Sequence, residues 1–305
     1  MTNAEFICQW LSVWMIIYMT GGSAARFQLQ EIEMNTANVN GIKLEFEMQG
    51  QGEPVVLIHG AVVSDAYLPI MNETSLKKYQ LIRYRRRGFD GSSHTSPPVR
   101  IEDQARDCLG LIQHLGMAKA HVVGHSYGGV IATQLFFENA AVVHTLSMLE
   151  PAFIWMIPQG PEQQGGLQSA MQLYQAGDKA GAIDNFMVGV GGADYRAKMD
   201  LALPGAYERA VADADTFFQN ELPALMEYAQ NMPAERMRTI KKPMLAMVGR
   251  NTTPVFTQIH DKVLATIVQS EALDIPGAGH MLQMENPTAV AEGLAEFFGN
   301  HPMAR

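Results

Sequence analysis

The sequence predicts an α/β fold, a mostly parallel central sheet flanked by helices, with a helical insertion late in the chain. Three observations lead there. Continuous apolar runs, the mark of strands buried on both faces, recur along the chain. Amphipathic helical patterns separate them, as parallel connections require. From 151 to 242 the strand signals stop and only helical patterns succeed one another. Apolar residues make up 47% and charged residues 17%, below the roughly 25% charge of ordinary soluble domains, so the chain has the side chains for a large core.

The first apolar segment, Phe6 to Met19, is too short for the about 20 residues of a membrane span. Its length and Ser23-Ala24-Ala25 resemble the core and cleavage site of a signal peptide, but Glu5 replaces the positive flank. Residues 1–33 are therefore read as a leader or extension, with three fates open: a signal peptide, a docked helix, or sequence upstream of a natural start at Met34. The cytoplasm is the expected compartment, and export the alternative. No stable membrane span is expected.

From Met34 the elements succeed one another in order. Asn40-Gly41 signals a hairpin turn, and Ile42 to Met48 alternates as an antiparallel strand with one wet face does. Buried strands are expected at Val55 to Ile58, Leu81 to Tyr84, Val122-Val123, Leu146 to Leu149, Met244 to Val248 and Ala272 to Ile275. Helical patterns lie between them. In Ile101 to Leu115, residues Ile101, Ala105, Cys108, Leu111, Ile112 and Leu115 share one face; Val130 to Asn139 and Pro287 to Phe298 are the others. Within the insertion, helices are expected around Leu167 to Gln175, Lys179 to Met187, Tyr207 to Asn220 and Leu222 to Asn231. The division is then a core of 34–150 and 243–305 with the insertion 151–242 between its halves.

Composition excludes several functions. With 22 Lys and Arg against 31 Asp and Glu the formal net charge is −9, so the chain lacks the basic excess that nucleic-acid backbones demand. Cys8 and Cys108 are too few for a disulfide scaffold or a cysteine-rich zinc site. His121 and His125 repeat a metal-binding spacing, but an extended strand separates them by about 13 Å. No cofactor and no metal are expected. The 20 methionines are spread along the whole chain and mark no single surface.

The chemistry enters at Gly124-His125-Ser126-Tyr127-Gly128. This G-x-S-x-G pattern comes after an apolar strand and precedes a helix, the setting in which it forms a nucleophile elbow. A turn that sharp leaves no room for side chains two positions either side of Ser126. It exposes the serine and presents amides of the helix start to developing negative charge. A serine hydroxyl needs a base within reach. His280 is the best placed of the nine histidines, on the loop after the last expected strand. His59 is read as shaping a loop, His125 as held inside the turn, and His94, His114, His144, His260 and His301 as surface or packing residues.

With His59-Gly60, Arg87-Gly88-Phe89-Asp90-Gly91-Ser92, the GHSYGG turn, Gly277-Ala278-Gly279-His280 and Asn286-Pro287, the sequence resembles the α/β hydrolase superfamily from Met34 to its end, in particular serine esterases and lactonases with a helical cap. The resemblance implies an oxyanion hole from the amides of Ala61 and Tyr127, His280 as general base, and a cap formed by 151–242. The acid departs from the common pattern. Most relatives place an Asp three residues beyond the glycine corresponding to Gly249, where this chain has Arg250, Asn251, Thr252 and Thr253. The family's other position is the end of the strand before the cap, occupied here by Glu150, which takes the role; Asp261 and an incomplete triad are the alternatives.

The expected activity is cleavage of a carboxylic ester or lactone through an acyl-enzyme. The apolar composition of the cap favours a small molecule with a hydrophobic acyl or alcohol part. The runner-up readings on the same scaffold are a cofactor-free lyase, a C–C bond hydrolase, or a ligand receptor with little turnover. Trp155 and Met156 are the candidate pocket residues, with packing of the cap as the alternative. Arg85 either meets an anionic substrate group or is solvated or ion-paired, and Asp90 is a candidate partner for the arginine run. A monomer or homodimer is expected.

Overall fold

Asn40 and Gly41, both at positive φ (48° and 76°), reverse the chain between β1 (Asn35–Val39) and β2 (Ile42–Gln49). The computed structural model describes residues 34–158 and 161–303, so residues 1–33, expected to be a leader or extension, lie outside the described residues. No helix among the described residues is long and apolar enough to cross a membrane.

The other strands are β3 (Glu53–Ile58), β4 (Tyr79–Arg85), β5 (Ala120–His125), β6 (Val143–Leu149), β7 (Met244–Gly249) and β8 (Ser270–Ile275). They form one sheet in the order β1-β2-β4-β3-β5-β6-β7-β8. Pairing is antiparallel for β1–β2 and β2–β4 and parallel from β4 through β8. This is the expected mostly parallel sheet. β1 has no counterpart among the expected strands: only Ala37 and Val39 of its Asn-Thr-Ala-Asn-Val are buried, too weak an alternation to read beside polar neighbours.

The helices are α1 (Leu68–Met71), α2 (Ile101–His114), α3 (Tyr127–Glu138), α4 (Pro161–Gln175), α5 (Lys179–Gly191), α6 (Tyr195–Ala202), α7 (Ala206–Ala212), α8 (Leu222–Asn231), α9 (Pro254–Thr266), α10 (Leu282–Glu285) and α11 (Pro287–Asn300). The pleat divides the core. Val56 and Ile58 pack on one face with α2, α3 and α9, while Val55 and Leu57 pack on the other with α11. On α2 the expected stripe Ile101, Ala105, Cys108, Leu111 and Ile112 is buried, and Asp103 accepts the Arg100 N–H at 3.0 Å to cap its start. On α11 Asn286 accepts the Ala289 N–H at 3.1 Å, and Val290, Leu294, Phe297 and Phe298 are buried, each stabilising by about 1.5–3 kcal/mol.

Between β6 and β7 the described residues form helices and no strand. The pattern expected as one helix over Tyr207 to Asn220 is divided: α7 ends at Ala212 and a π-helical turn covers Thr216–Glu221. The turn buries Thr216, Phe217, Phe218 and Glu221 together. A third apolar cluster joins these helices to Val62, Val63, Met281 and Met284.

The strand order decides where the sheet can hold a ligand. From β3 the chain moves to β4 on one side, and β5 lies on the other. The crevice beyond the carboxyl ends of β3 and β5 is the switch point where such sheets bind ligands, and His59 and Ser126 stand at its two sides.

Candidate active site

β5 ends at His125 and α3 begins at Tyr127, so Ser126 alone makes the turn, at φ 51° and ψ −118°. The flanking glycines are required by contact: a Cβ on Gly124 would lie 2.5 Å from the Gly128 carbonyl oxygen, and one on Gly128 would lie 2.1 Å from that of Ile58. The turn is tied at both ends. Ser126 N–H donates to the Leu149 carbonyl, and its own carbonyl accepts from Gly129 and Ala152, all at 3.0 Å.

Glu150 directly follows β6, at φ 41°, and is 1% exposed. That backbone is unusual for a glutamate, and its local strain is offset by the bonds the side chain makes. Oε1 accepts the Gly249 N–H at 2.7 Å; Oε2 accepts the Thr252 hydroxyl at 2.8 Å and faces His280 Nδ1 at 2.8 Å. Thr252 stands three residues beyond Gly249, the position where an acid was sought, and supplies a donor to Glu150 instead. Asp261 lies on α9 with its side chain 74% exposed and His260 3.8 Å away.

His280 is buried between rings. Phe256 stacks on it with centroids 3.8 Å apart and planes 13° apart, and His125 lies at 4.8 Å, its Nε2–H donating to the His280 carbonyl at 2.9 Å. Burial favours the neutral form of both members of the Glu150–His280 pair. It pushes His280 down to about 3, against the pull of Glu285, and Glu150 up to about 8, against its Gly249 and Thr252 donors. The 2.8 Å contact opposes both shifts. For Glu150 the convergence of three donors outweighs burial, since all three need acceptor lone pairs. The shared proton is accordingly assigned to His280 Nδ1, which leaves Nε2 as an acceptor.

Ser126, His280 and Ala61 line one small cavity. Its other walls are largely apolar: Phe186, Met187 and Val190 from α5, with Met281 and Met284 from the His280 loop and α10. Tyr127 opens α3, and its N–H is one of the four that a helix start leaves without an intrahelical partner. Trp155 and Met156, the candidate pocket residues, are not among the residues that line this cavity. Trp155 packs edge-on against Tyr228 with centroids 5.5 Å apart, and Met156 is buried in the main core. Apolar character near Glu150 in sequence could not distinguish a pocket wall from packing.

The brace on the His280 loop went unread in the sequence, whereas ion pairing of Arg85 was one of its expected readings. Glu285 accepts the N–H groups of Gly279 at 3.1 Å and Met281 at 3.3 Å, bracing both sides of His280, and Lys198 of α6 pairs with it at 2.9 Å. Arg85 is ion-paired with Asp65 (3.0 Å), Glu45 (2.8 Å) and Asp90 (3.3 Å). The arrangement thus places a hydroxyl and an imidazole on one largely apolar cavity, with a buried carboxylate on the imidazole's Nδ1.

The family model described as alpha/beta hydrolase family matches residues 55–293. The chain is 24% identical over 258 residues to the sn-1-specific diacylglycerol lipase ABHD11 of Mus musculus, covering 80% of each chain. To the soluble epoxide hydrolase of a Corynebacterium species it is 28% identical over 120 residues, 39% of this chain and 42% of that protein. Among solved structures, a thermophilic esterase from Thermogutta terrifontis superposes with a TM-score of 0.71 at 22% identity, over 89% of this chain and 100% of the other.

Proposed function

This chain belongs to the alpha/beta hydrolase family, and from that premise we propose that it cleaves a carboxylic ester or lactone through a covalent acyl-enzyme. The observation that carries the reading is the buried Glu150–His280 pair, 2.8 Å apart, beside the cavity that Ser126 lines. The helices of 151–242 act as a cap over a core of 34–150 and 243–305.

In this reading His280 Nε2 takes the Ser126 proton as the hydroxyl oxygen attacks the carbonyl carbon. The amides of Ala61 and Tyr127 receive the oxyanion. Glu150 holds the imidazole in the required tautomer and stabilises its cation. The alcohol leaves with the proton from His280; water then attacks the acyl-enzyme by the same route, and the acid departs. The cavity walls, with Phe186, Met187, Val190, Met281 and Met284, support an uncharged, apolar acyl or alcohol group.

The test is Ser126→Ala assayed on a panel of 4-nitrophenyl esters and lactones. Loss of activity on the order of 10⁶-fold is expected, as in a comparable triad. A fluorophosphonate should add its mass to Ser126 and stop turnover. Near-normal rates in a folded Ser126→Ala protein would overturn the reading. Phosphonate labelling without turnover on any ester or lactone would favour a receptor.

A further inference from the structure

The proposed reaction makes no use of the buried pair that reaches the oxyanion loop. Arg86, the middle of the Arg85-Arg86-Arg87 run, and Glu221, from the π-helical turn, are both buried and form an ion pair. The same Arg86 Nη1 also donates to Gln104 Oε1 of α2, and Nη2 donates to the Gly60 carbonyl at 2.8 Å. The backbone N–H of Arg86 donates to His59 Nε2 at 3.1 Å. That leaves the His59 proton on Nδ1, which donates to the Gly60 carbonyl at 2.8 Å. Burial, then the nearby Arg86 charge, hold His59 well below the ordinary imidazole range and keep it in this neutral form.

We infer that the Arg86–Glu221–Gln104 cluster is a positioning device for the oxyanion hole, aiming the Ala61 N–H through the carbonyl of the same peptide. In a trans peptide the Gly60 C=O and the Ala61 N–H point in opposite directions. Two donors on the carbonyl therefore turn the amide away from the cluster, toward the cavity that Ala61 shares with Ser126. The loop needs holding: Val62, a β-branched residue, sits at φ 57°. The other oxyanion residue is tied to the same cluster. Gln104 Nε2 donates to the Tyr127 hydroxyl at 3.2 Å, and the Arg86 guanidinium lies over the Tyr127 ring at 5.0 Å. Because Glu221 comes from the helices between β6 and β7, those helices contribute directly to the geometry of the oxyanion loop.

The inference rests on the oxyanion roles of Ala61 and Tyr127, and its test separates the two. Losing one partner strands a buried charge, so the main variant is the double Arg86→Met/Glu221→Leu, with Arg86→Lys as a second that keeps the charge but cannot span Glu221, Gln104 and Gly60 together. Circular dichroism and thermal unfolding check the fold. On a 4-nitrophenyl ester, kcat should fall about 10²-fold, the cost of a roughly 1 Å misplacement, with KM little changed and the acid limb of the pH profile unmoved. The affinity of an alkyl trifluoromethyl ketone and the rate of Ser126 phosphonylation should fall in parallel. If kcat, ketone affinity and phosphonylation stay at wild-type levels in a folded variant while Ser126→Ala is inactive, the positioning role is wrong and the proposed function stands. If Ser126→Ala is itself active, both fall. Should the double variant not fold, Arg86→Lys decides by the same measurements.

Discussion

The Glu150–His280 and Arg86–Glu221 pairs are each a buried glutamate facing a buried nitrogen base, yet they are built for different work. Their backbones differ: Glu150 sits at φ 41°, whereas Glu221, the last residue of the π-helical turn, has ordinary helical dihedrals of φ −73° and ψ −46°. His280 has one ring nitrogen engaged by Glu150 and lines a cavity, whereas Arg86 is spent on Glu221, Gln104 and Gly60. An imidazole loses its proton near neutral pH, but a guanidinium keeps its charge throughout. A buried acid beside a titratable base can support that base as it takes and gives a proton; beside a permanent cation it can only hold shape.

Breaking the first pair should cost activity most. Glu150→Gln keeps the size and the Gly249 contact but removes the acceptor that fixes the His280 tautomer, and kcat should fall about 10⁴-fold with little loss of stability. Asp261→Asn, by contrast, should leave kcat unchanged, and equal small effects from both would remove Glu150 from the mechanism. Breaking the second pair should cost stability first. Arg86→Met leaves Glu221 buried without its cation and is expected to destabilise by about 3–5 kcal/mol, read by denaturant unfolding. A wild-type midpoint there would mean that the pair is not a structural unit.

The two regions are also unequally legible in the sequence. Every strand but β1 carries an apolar run or an alternation, and Ser126 and His280 stand in patterns with a physical reason for the glycines around them. Glu150 is reached through the absence of an acid after Gly249. Thr252 as its donor is not, because a threonine in a loop carries no sign of its partner. Arg86 and Glu221 lie far apart in sequence and meet only in the fold, so a dense basic run reads most simply as surface. The cavity's Met187 comes from one segment and Met281 and Met284 from another about 90 residues on, and all three vanish in a chain with 20 methionines. α9 is absent from the expected helices as well, although its Phe256 stacks on His280.

Acid should reveal how many histidines the fold keeps neutral. Burial lowers His59 well below its ordinary value, His121 to about 4, and His125 to about 3. Their folded values lie below the unfolded one, so as pH falls the unfolded chain takes up protons first. Stability is complete above about 6.5 and declines toward 4, by roughly 1 kcal/mol per histidine at pH 5.5. Thermal unfolding between pH 7.5 and 5.5 measures it, and a flat midpoint would show that these rings are protonated in the fold.

The smallest effect should come from Lys198, which touches the site only through Glu285. Its ion pair is partly exposed and contributes about 0–1 kcal/mol, so Lys198→Met should hardly move the unfolding midpoint. The charge of Glu285 raises the His280 pKa, however, and Lys198 offsets part of that charge. Removing the lysine should therefore strengthen the pull on His280 and shift the acid limb of kcat/KM to higher pH by roughly a few tenths of a unit. Glu285→Gln removes the charge and should shift it the other way, toward lower pH. Opposite shifts would tie the α6 helix to the base electrostatically; shifts of the same sign would mean that both substitutions act by loosening the Gly279–Met281 loop.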